Sequence, residues 1–294
     1  MLRSEAVLPA ATGLRRNRLL RIGFFFVGLL LFYAPFAFFV QMLAPVFPGT
    51  SAANSVADVH TVCLRMPITW LVQPWLWSTM LGNPVYLFAV IVLPLAAVFG
   101  GPLFCGWVCP AGGITEHLGR LVPDRFKYDV HGKVPLAPVR YGFFVGLLLA
   151  PFVATGICCS FCNFTPMQNF LSAATGDFRG FLYFSTTSVF TMFVWLIPMG
   201  LFTKGGRGWC NFLCPVGAWS NLASTATGRL PFVARVRHDA SKCSGCGGCE
   251  ELCPPRAVTV QPENDVAVNQ YMCNACLDCV KACPTHALRY GRPE

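Results

Sequence analysis

Two runs of cysteine near the C-terminal end have the types and spacing to do chemistry. Cys243, Cys246, Cys249 and Cys253 follow the pattern C-x2-C-x2-C-x3-C-P, and Cys273, Cys276, Cys279 and Cys283 repeat it. Three closely spaced thiolates on one tight loop wrap three irons, and the chain must return to supply the fourth. In this run the fourth cysteine of each group ligates the other cluster. The spacing therefore predicts Cys243, Cys246, Cys249 and Cys283 around one [4Fe–4S] cluster, and Cys273, Cys276, Cys279 and Cys253 around a second. Pro254 and Pro284 direct the chain away from each. Structural zinc also takes four thiolates, but two full copies of this run argue against it. Disulfides do not persist in a reducing cytoplasm.

A second set of cysteines lies earlier, as CGWVCP (Cys105, Cys109) and CNFLCP (Cys210, Cys214), each after a long apolar run. The i, i+4 spacing puts both sulfurs of a pair on one helical face. Pro110 biases Cys109 out of the helix and can open the next one. One pair is too few for a cluster; two pairs brought together give four thiolates. The expectation is that Cys105, Cys109, Cys210 and Cys214 share a further iron–sulfur centre. Packed thiols, a redox-active dithiol set, or a site for another soft metal such as copper stay open as alternatives. A third group, Cys158, Cys159 and Cys162 in CCSFC, is expected on the opposite side of the chain's apolar layer, with Cys63. Disulfides or a metal site are both open there. No two histidines have the spacing of haem ligands in a membrane helix. His286, in CPTHAL, is expected to order its loop, and His60 with Asp58 to lie on a solvated loop or near a quinone pocket.

The elements that must position these residues are mostly apolar. Of 294 residues, 54% are hydrophobic and 12% charged, about half the charge of a soluble domain. Four runs have the length to cross a bilayer: Ile22–Leu43, Val85–Phe104, Tyr141–Ile157 and Phe181–Phe202. Arginine and lysine crowd the segments before the first run, between the second and third, and after the fourth. The intervening loops carry only Arg65 and Arg179. That asymmetry predicts cytoplasmic termini and places the net charge of +9 beside an inner membrane; no compact basic face is left for nucleic acid. RRNRLL has the look of a twin-arginine signal, but the apolar stretch after it is too long for a signal-peptide core, so an uncleaved anchor is expected. The cysteine pairs close two apolar hairpins, an internal repeat. From about Arg235 the apolar runs stop, and AVTVQ (Ala257–Gln261) and DVAVN (Asp265–Asn269) alternate like strands. The expected architecture is an α-helical integral membrane protein with four transmembrane helices as two hairpins, and a small α+β ferredoxin-like domain. Its parts are a cytoplasmic segment 1–21, a membrane domain 22–237, and a 2[4Fe–4S] domain 238–294.

These residues resemble the membrane polyferredoxins of the NapH/MauN type, to which the C-terminal part of NosR and the CcoG/FixG proteins are related. The motifs CGWVCP, CNFLCP, CSGCGGCEELCPP and CNACLDCVKACPT carry the resemblance, which covers the chain from about Arg21 onward. NosR-type proteins place a large flavin domain before the spans, and CcoG-type proteins usually extend into a further β domain. The NapH type is the nearest fit. The resemblance implies a quinol-linked electron-transfer component serving a periplasmic reductase or dehydrogenase, with a further iron–sulfur or cytochrome subunit as redox partner. The alternative is an assembly factor supplying electrons or copper to a periplasmic metalloenzyme. CCSFCNFTP departs from the C-x2-CP-like element expected there, which leaves any periplasmic cofactor open.

Overall fold

The computed structural model describes residues 7–33, 36–43, 45, 62–153, 162–178, 186–227, 230–262 and 265–292. Helix α1 (Val7–Phe32) is followed after a turn by α2 (Phe38–Leu43). The expected first span is therefore not one helix. Proline at 35 lacks the N–H a continuous helix needs, and Ala37 takes a left-handed φ of 40°. Short helical turns over Met66–Thr69, Trp70–Val72, Pro74–Leu76 and Trp77–Leu81 lead into α3 (Pro84–Gly100). Asn83 caps α3, its side-chain oxygen accepting from Val85 N at 2.9 Å, with Pro84 in the first helical position.

Pro94 lies inside α3, and its missing N–H would orphan the carbonyl of Val90. A π-turn over Phe88–Val92 widens the helix just before it, and the Trp219 indole donates to Val90 O at 3.1 Å. Next come α4 (Pro110–Gly119), α5 (Leu136–Val153), α6 (Phe164–Ala174) and α7 (Thr186–Leu196). A π-turn over Ile197–Leu201 extends α7; α8 (Gly208–Phe212) and α9 (Pro215–Ala226) follow.

Among the described residues α5 alone is long and apolar enough to cross a bilayer by itself, and only 17% of it is buried, unlike the core helix of a soluble protein. The segments Pro74–Leu81 and α3 pass the same test jointly but bend by 111°, and Val189–Leu201 is apolar but shorter. Length and composition therefore support one crossing, or two, where the sequence led us to expect four. Large apolar side chains nonetheless point outward from these helices, among them Phe24, Phe26, Leu95, Phe99, Phe143, Phe152 and Phe190.

The C-terminal part is a pair of two-stranded antiparallel sheets. β1 (Arg235–His238) pairs with the last strand, β4 (Leu288–Gly291), in the register Val236↔Tyr290. β2 (Val258–Val260) pairs with β3 (Val266–Val268), where alternation in the sequence placed strands. Two short helices, α10 (Gly248–Glu251) and α11 (Asp278–Ala282), follow the cysteine loops. The β1–β4 sheet covers the end of α3. The last carbonyls of that helix have no partner within it; Arg235 Nη2 donates to Val98 O, Ala234 N to Phe99 O and Tyr290 Oη to Gly100 O, at 2.9, 2.7 and 2.6 Å. The described residues form two apolar cores, one among the helices around Tyr33, Ile68, Ala89 and Trp209, the other around Cys253, Val258, Met272 and Cys279.

Candidate functional site: three gatherings of cysteine

Cys243, Cys246, Cys249 and Cys283 line one cavity of about 30 Å³ under the β1–β4 sheet. The second foursome assembles in the domain's core, where Cys279 lies within electrostatic reach of Cys276, Cys253 and Cys273. Each half thus sends its fourth cysteine to the other half's three. The backbone repeats with them. Gly245 and Ala275, Gly247 and Leu277, and Arg256 and His286 stand at matching positions of the two runs, and all six have positive φ, between 50° and 75°. Only glycine adopts that region freely, so four non-glycine residues held there mark an enforced geometry. Alternating hand along a short loop turns successive N–H groups inward and makes an anion-binding hollow. Burial pushes the Cys253 and Cys276 thiols up, Cys276 to about 12. Free thiols there would stay protonated; a metal partner makes them thiolates.

The four cysteines of the paired motifs also meet. Cys105, Cys109, Cys210 and Cys214 line a single cavity of about 70 Å³. Cys109 and Cys214 are the N-cap residues of α4 and α9, in extended conformation, with Pro110 and Pro215 opening each helix. Cys105 precedes Cys109 in a π-turn (Phe104–Val108), and Cys210 lies in α8. Gly112 and Gly217 stand three residues past their N-cap cysteines and let the two halves close. A methyl on Gly112 would stand 2.8 Å from Arg207 Nη1 and 3.3 Å from Cys210 Sγ; one on Gly217 would stand 2.3 Å from Arg140 Nη2.

Two features of this cavity fit an iron–sulfur group. Arg140 Nε, Arg207 Nη2, Asn211 Nδ2 and Asn274 Nδ2 are buried without a hydrogen-bond partner, and all four residues line it. Buried donors are rarely left orphaned; here they converge on a space bounded by sulfur and would serve an anionic, acceptor-rich group. Secondly, among the described residues no three His, Cys, Asp or Glu stand close enough to grip a single ion. Four thiols around a common space match the donor set of a polynuclear cluster.

The paired motifs and the ferredoxin part are in direct contact. A methyl on Gly106, inside CGWVC, would stand 2.2 Å from the carbonyl oxygen of Asn274, inside CNAC. Trp107 Nε1 donates to Ala275 O at 3.0 Å, and Asn221 Nδ2 to Gln270 O and Cys273 O at 2.8 and 2.7 Å. From α1, Asn17 Nδ2 donates to Cys276 O at 3.0 Å.

Two wholly buried carboxylates lock this contact. Glu116 accepts from Arg21 Nη2, Arg207 Nε and Arg120 Nη2 at 2.7, 2.6 and 2.6 Å. Asp278 accepts from Asn17, Arg21 and Arg120 at 2.7, 3.1 and 3.1 Å, and from Arg18 at 3.4 Å. Burial alone would raise the Glu116 carboxyl, but the guanidinium groups of Arg207, Arg21 and Arg120 outweigh it and hold it at about 2. Arg207 also donates to Cys105 O at 2.7 Å and Arg21 to Gly106 O at 2.9 Å, so the network carries the first motif's backbone. Sequence reasoning missed Glu116 and Asp278. The available signal was a lone acid, Glu116, four residues before Arg120 in a basic segment.

The remaining expected residues divide. Cys158, Cys159, His60 and Asp58 lie outside the described residues. His286 is exposed. Cys63 and Cys162 are buried, and both lie within electrostatic reach of Tyr33, as does Cys109. Their neighbours Arg65 and Asn163, bonded at 3.2 Å, line the 70 Å³ cavity. This group therefore approaches the paired motifs from behind.

Comparison with known proteins agrees with this arrangement. A family of 4Fe-4S binding domains matches residues 83–128 and 187–231, one copy over each paired motif, and a 4Fe-4S dicluster domain matches 242–287. YccM of Escherichia coli is 30% identical over 62% of this chain and 48% of its own length. The ferredoxin-type protein NapH of Haemophilus influenzae is 27% identical over 69% of this chain and 67% of its own. The methylamine utilization ferredoxin-type protein MauN of Methylobacillus flagellatus is 29% identical over 60% and 56%. The chain thus spans between about half and two thirds of the length of these three relatives. No solved structure matches it. With iron–sulfur family models over all three cysteine gatherings, these similarities support a polyferredoxin of the NapH/MauN type, related to NosR of Stutzerimonas stutzeri.

Proposed function

We propose that this protein is an inner-membrane electron relay between the quinone/quinol pool and a protein redox partner of a periplasmic respiratory or dehydrogenase system. Cys243, Cys246, Cys249 and Cys283 would hold one [4Fe–4S] cluster, and Cys273, Cys276, Cys279 and Cys253 another. Cys105, Cys109, Cys210 and Cys214 would hold a third centre. Such clusters, when bound, take up and give back single electrons. The chain's own residues do the rest. Arg140 and Arg207 place positive charge beside a buried anionic site, which low dielectric otherwise disfavours. The glycines at 106, 112 and 217 bring backbone and sulfur into close approach, and the Glu116–Asp278 network fixes the interval between the paired motifs and the Cys273–Cys276 loop.

The observation that carries this reading is the packing of CGWVC on CNAC: two cysteine gatherings share a contact surface, as an electron path requires. Four crossings with both termini and the ferredoxin part in the cytoplasm accord with the outward apolar side chains and the placement of arginine and lysine. Delivery of copper to a periplasmic metalloenzyme finds less support, because no described group of thiols closes on a single ion. The test is iron and acid-labile sulfide quantification with EPR on anaerobic protein, before and after Cys105→Ser and Cys214→Ser. Loss of one spectral component, with iron falling from about twelve to about eight per chain, is expected. An unchanged iron count and spectrum would refute the third centre.

A further inference from the structure

A further cavity among the described residues lies outside the cysteine gatherings. It is an apolar cleft of about 700 Å³ between α5 and α7, within the range of cofactor and drug-sized ligand sites. Along α5 it runs from Val139 to Ala150, about 17 Å at helical rise. Gly142 and Gly146 form its α5 wall, and a methyl built on either meets nothing within 4 Å. Phe143 and Phe190, at its margins, are 54% and 60% exposed on the apolar face of the helices. The cleft therefore opens where lipid would lie.

Its floor is the other face of α8. Trp209 and Leu213 line the cleft, and each directly precedes a cysteine of the second pair, Cys210 and Cys214. Arg65 and Trp209 line both this cleft and the thiol cavity. A single turn of helix separates the two spaces. Trp209 is 4% exposed, and its indole N–H has no hydrogen-bond partner. A buried indole N–H normally finds an acceptor. The floor of the cleft thus offers an unpartnered indole donor beside the thiols, in a mostly apolar site that Arg65 and Thr191 also line.

We propose that this cleft binds the head and first tail units of a lipid-soluble quinone, its carbonyl accepting from Trp209 Nε1. An apolar tail suits the α5–α7 walls, a flat ring suits a glycine-lined slot, and a head group that accepts hydrogen bonds suits the unpartnered indole. A metal ion would find no carboxylate, thiol or imidazole among the lining residues. The inference rests on the quinone-linked reading above and gives that reading a location.

The test uses the whole protein, loaded with its clusters, in detergent. Decylubiquinone binding is measured by competition against a photoreactive azidoquinone, and the labelled peptides are mapped. We expect saturable labelling within 139–150, 190–194 or the peptide carrying Trp209. Gly146→Leu projects into the slot from a position where an added methyl meets nothing within 4 Å, so decylubiquinone affinity should fall at least tenfold with iron and sulfide content unchanged. Gly142→Leu serves if Gly146→Leu loses iron. Trp209→Phe keeps the ring and removes the N–H, and should weaken binding about fivefold, the worth of one hydrogen bond. Saturable labelling elsewhere, with affinity unaltered in the glycine variants, overturns the site and leaves the quinone link standing. No saturable binding to the wild-type protein overturns both.

Discussion

Replacing Glu116 by Gln removes one negative charge and nothing of the side chain's shape. Three guanidinium groups converge on that carboxylate, and two of them, from Arg21 and Arg207, are 0% and 1% exposed. They would be left beside a neutral amide whose NH2 competes as a donor. Breaking one partner out of a buried ionic set costs about 3–5 kcal/mol. The titration gives a similar size: a carboxyl held at about 2 rather than the ordinary 4.5 corresponds to about 3 kcal/mol of preference for the charged form. The folded value lies below the unfolded one, so this stabilisation is complete above about pH 4.5 and is lost as the pH falls toward 2. At pH 7 the variant suffers the full loss. For a chain of this size each kcal/mol moves Tm by about 2–4 °C, so Glu116→Gln should melt about 6–20 °C lower, read by loss of cluster absorbance on heating in detergent. Asp124→Asn is the control, because the Asp124–Lys127 pair lies at the surface with Asp124 77% exposed; it should shift Tm by about 2 °C or less. If Glu116→Gln melts within 2 °C of wild type, the buried network does not hold the two parts together.

Gly106→Ala should push the CNAC loop off the first motif, costing about 1–3 kcal/mol; EPR of the reduced protein should show weaker magnetic coupling between two centres, and unaltered coupling would contradict the close approach. Trp219→Phe leaves Val90 O without its indole donor, and an apparent stability loss of about 1–3 kcal/mol is expected from thermal melts. Gly245→Val forces a branched side chain into a left-handed turn at a cost of about 1–3 kcal/mol. About four irons should be lost from the Cys243 foursome, and full iron retention would count against that assignment. Reporter fusions after residue 292 and within the 124–133 segment should both read cytoplasmic; a periplasmic signal from either would overturn the proposed orientation.

The cysteine spacings and the β2–β3 alternation were legible because each depends on residues close in sequence. Pro110 likewise announced a helix start that the structure places at that position. The end of α1 at Phe32 was harder to see, because hydropathy averages over the proline at 35 and the run Ile22–Leu43 read as continuous. The buried acids were illegible for a different reason. Arg18, Arg21, Arg120 and Arg207 read as charges beside a membrane, which is how local composition presents them. That all four turn inward onto Glu116 and Asp278 depends on contacts spanning up to 260 residues, from Arg18 to Asp278. The meeting of CGWVC with CNAC is of the same kind: nothing in either run of letters names the other.

Helix α1 touches both ends of this system. Asn17, Arg18 and Arg21 hold the ferredoxin helix α11, and about three turns further on the same chain delivers Phe32 and Tyr33 to the thiol cavity. Some redox proteins carry charge by swinging a tethered head between docking stations. A head bolted in this way has no arc to travel. Transfer within the chain should then be governed by tunnelling across fixed gaps, and thickening the medium with glycerol or sucrose should leave its internal rate untouched while slowing any encounter with a separate protein.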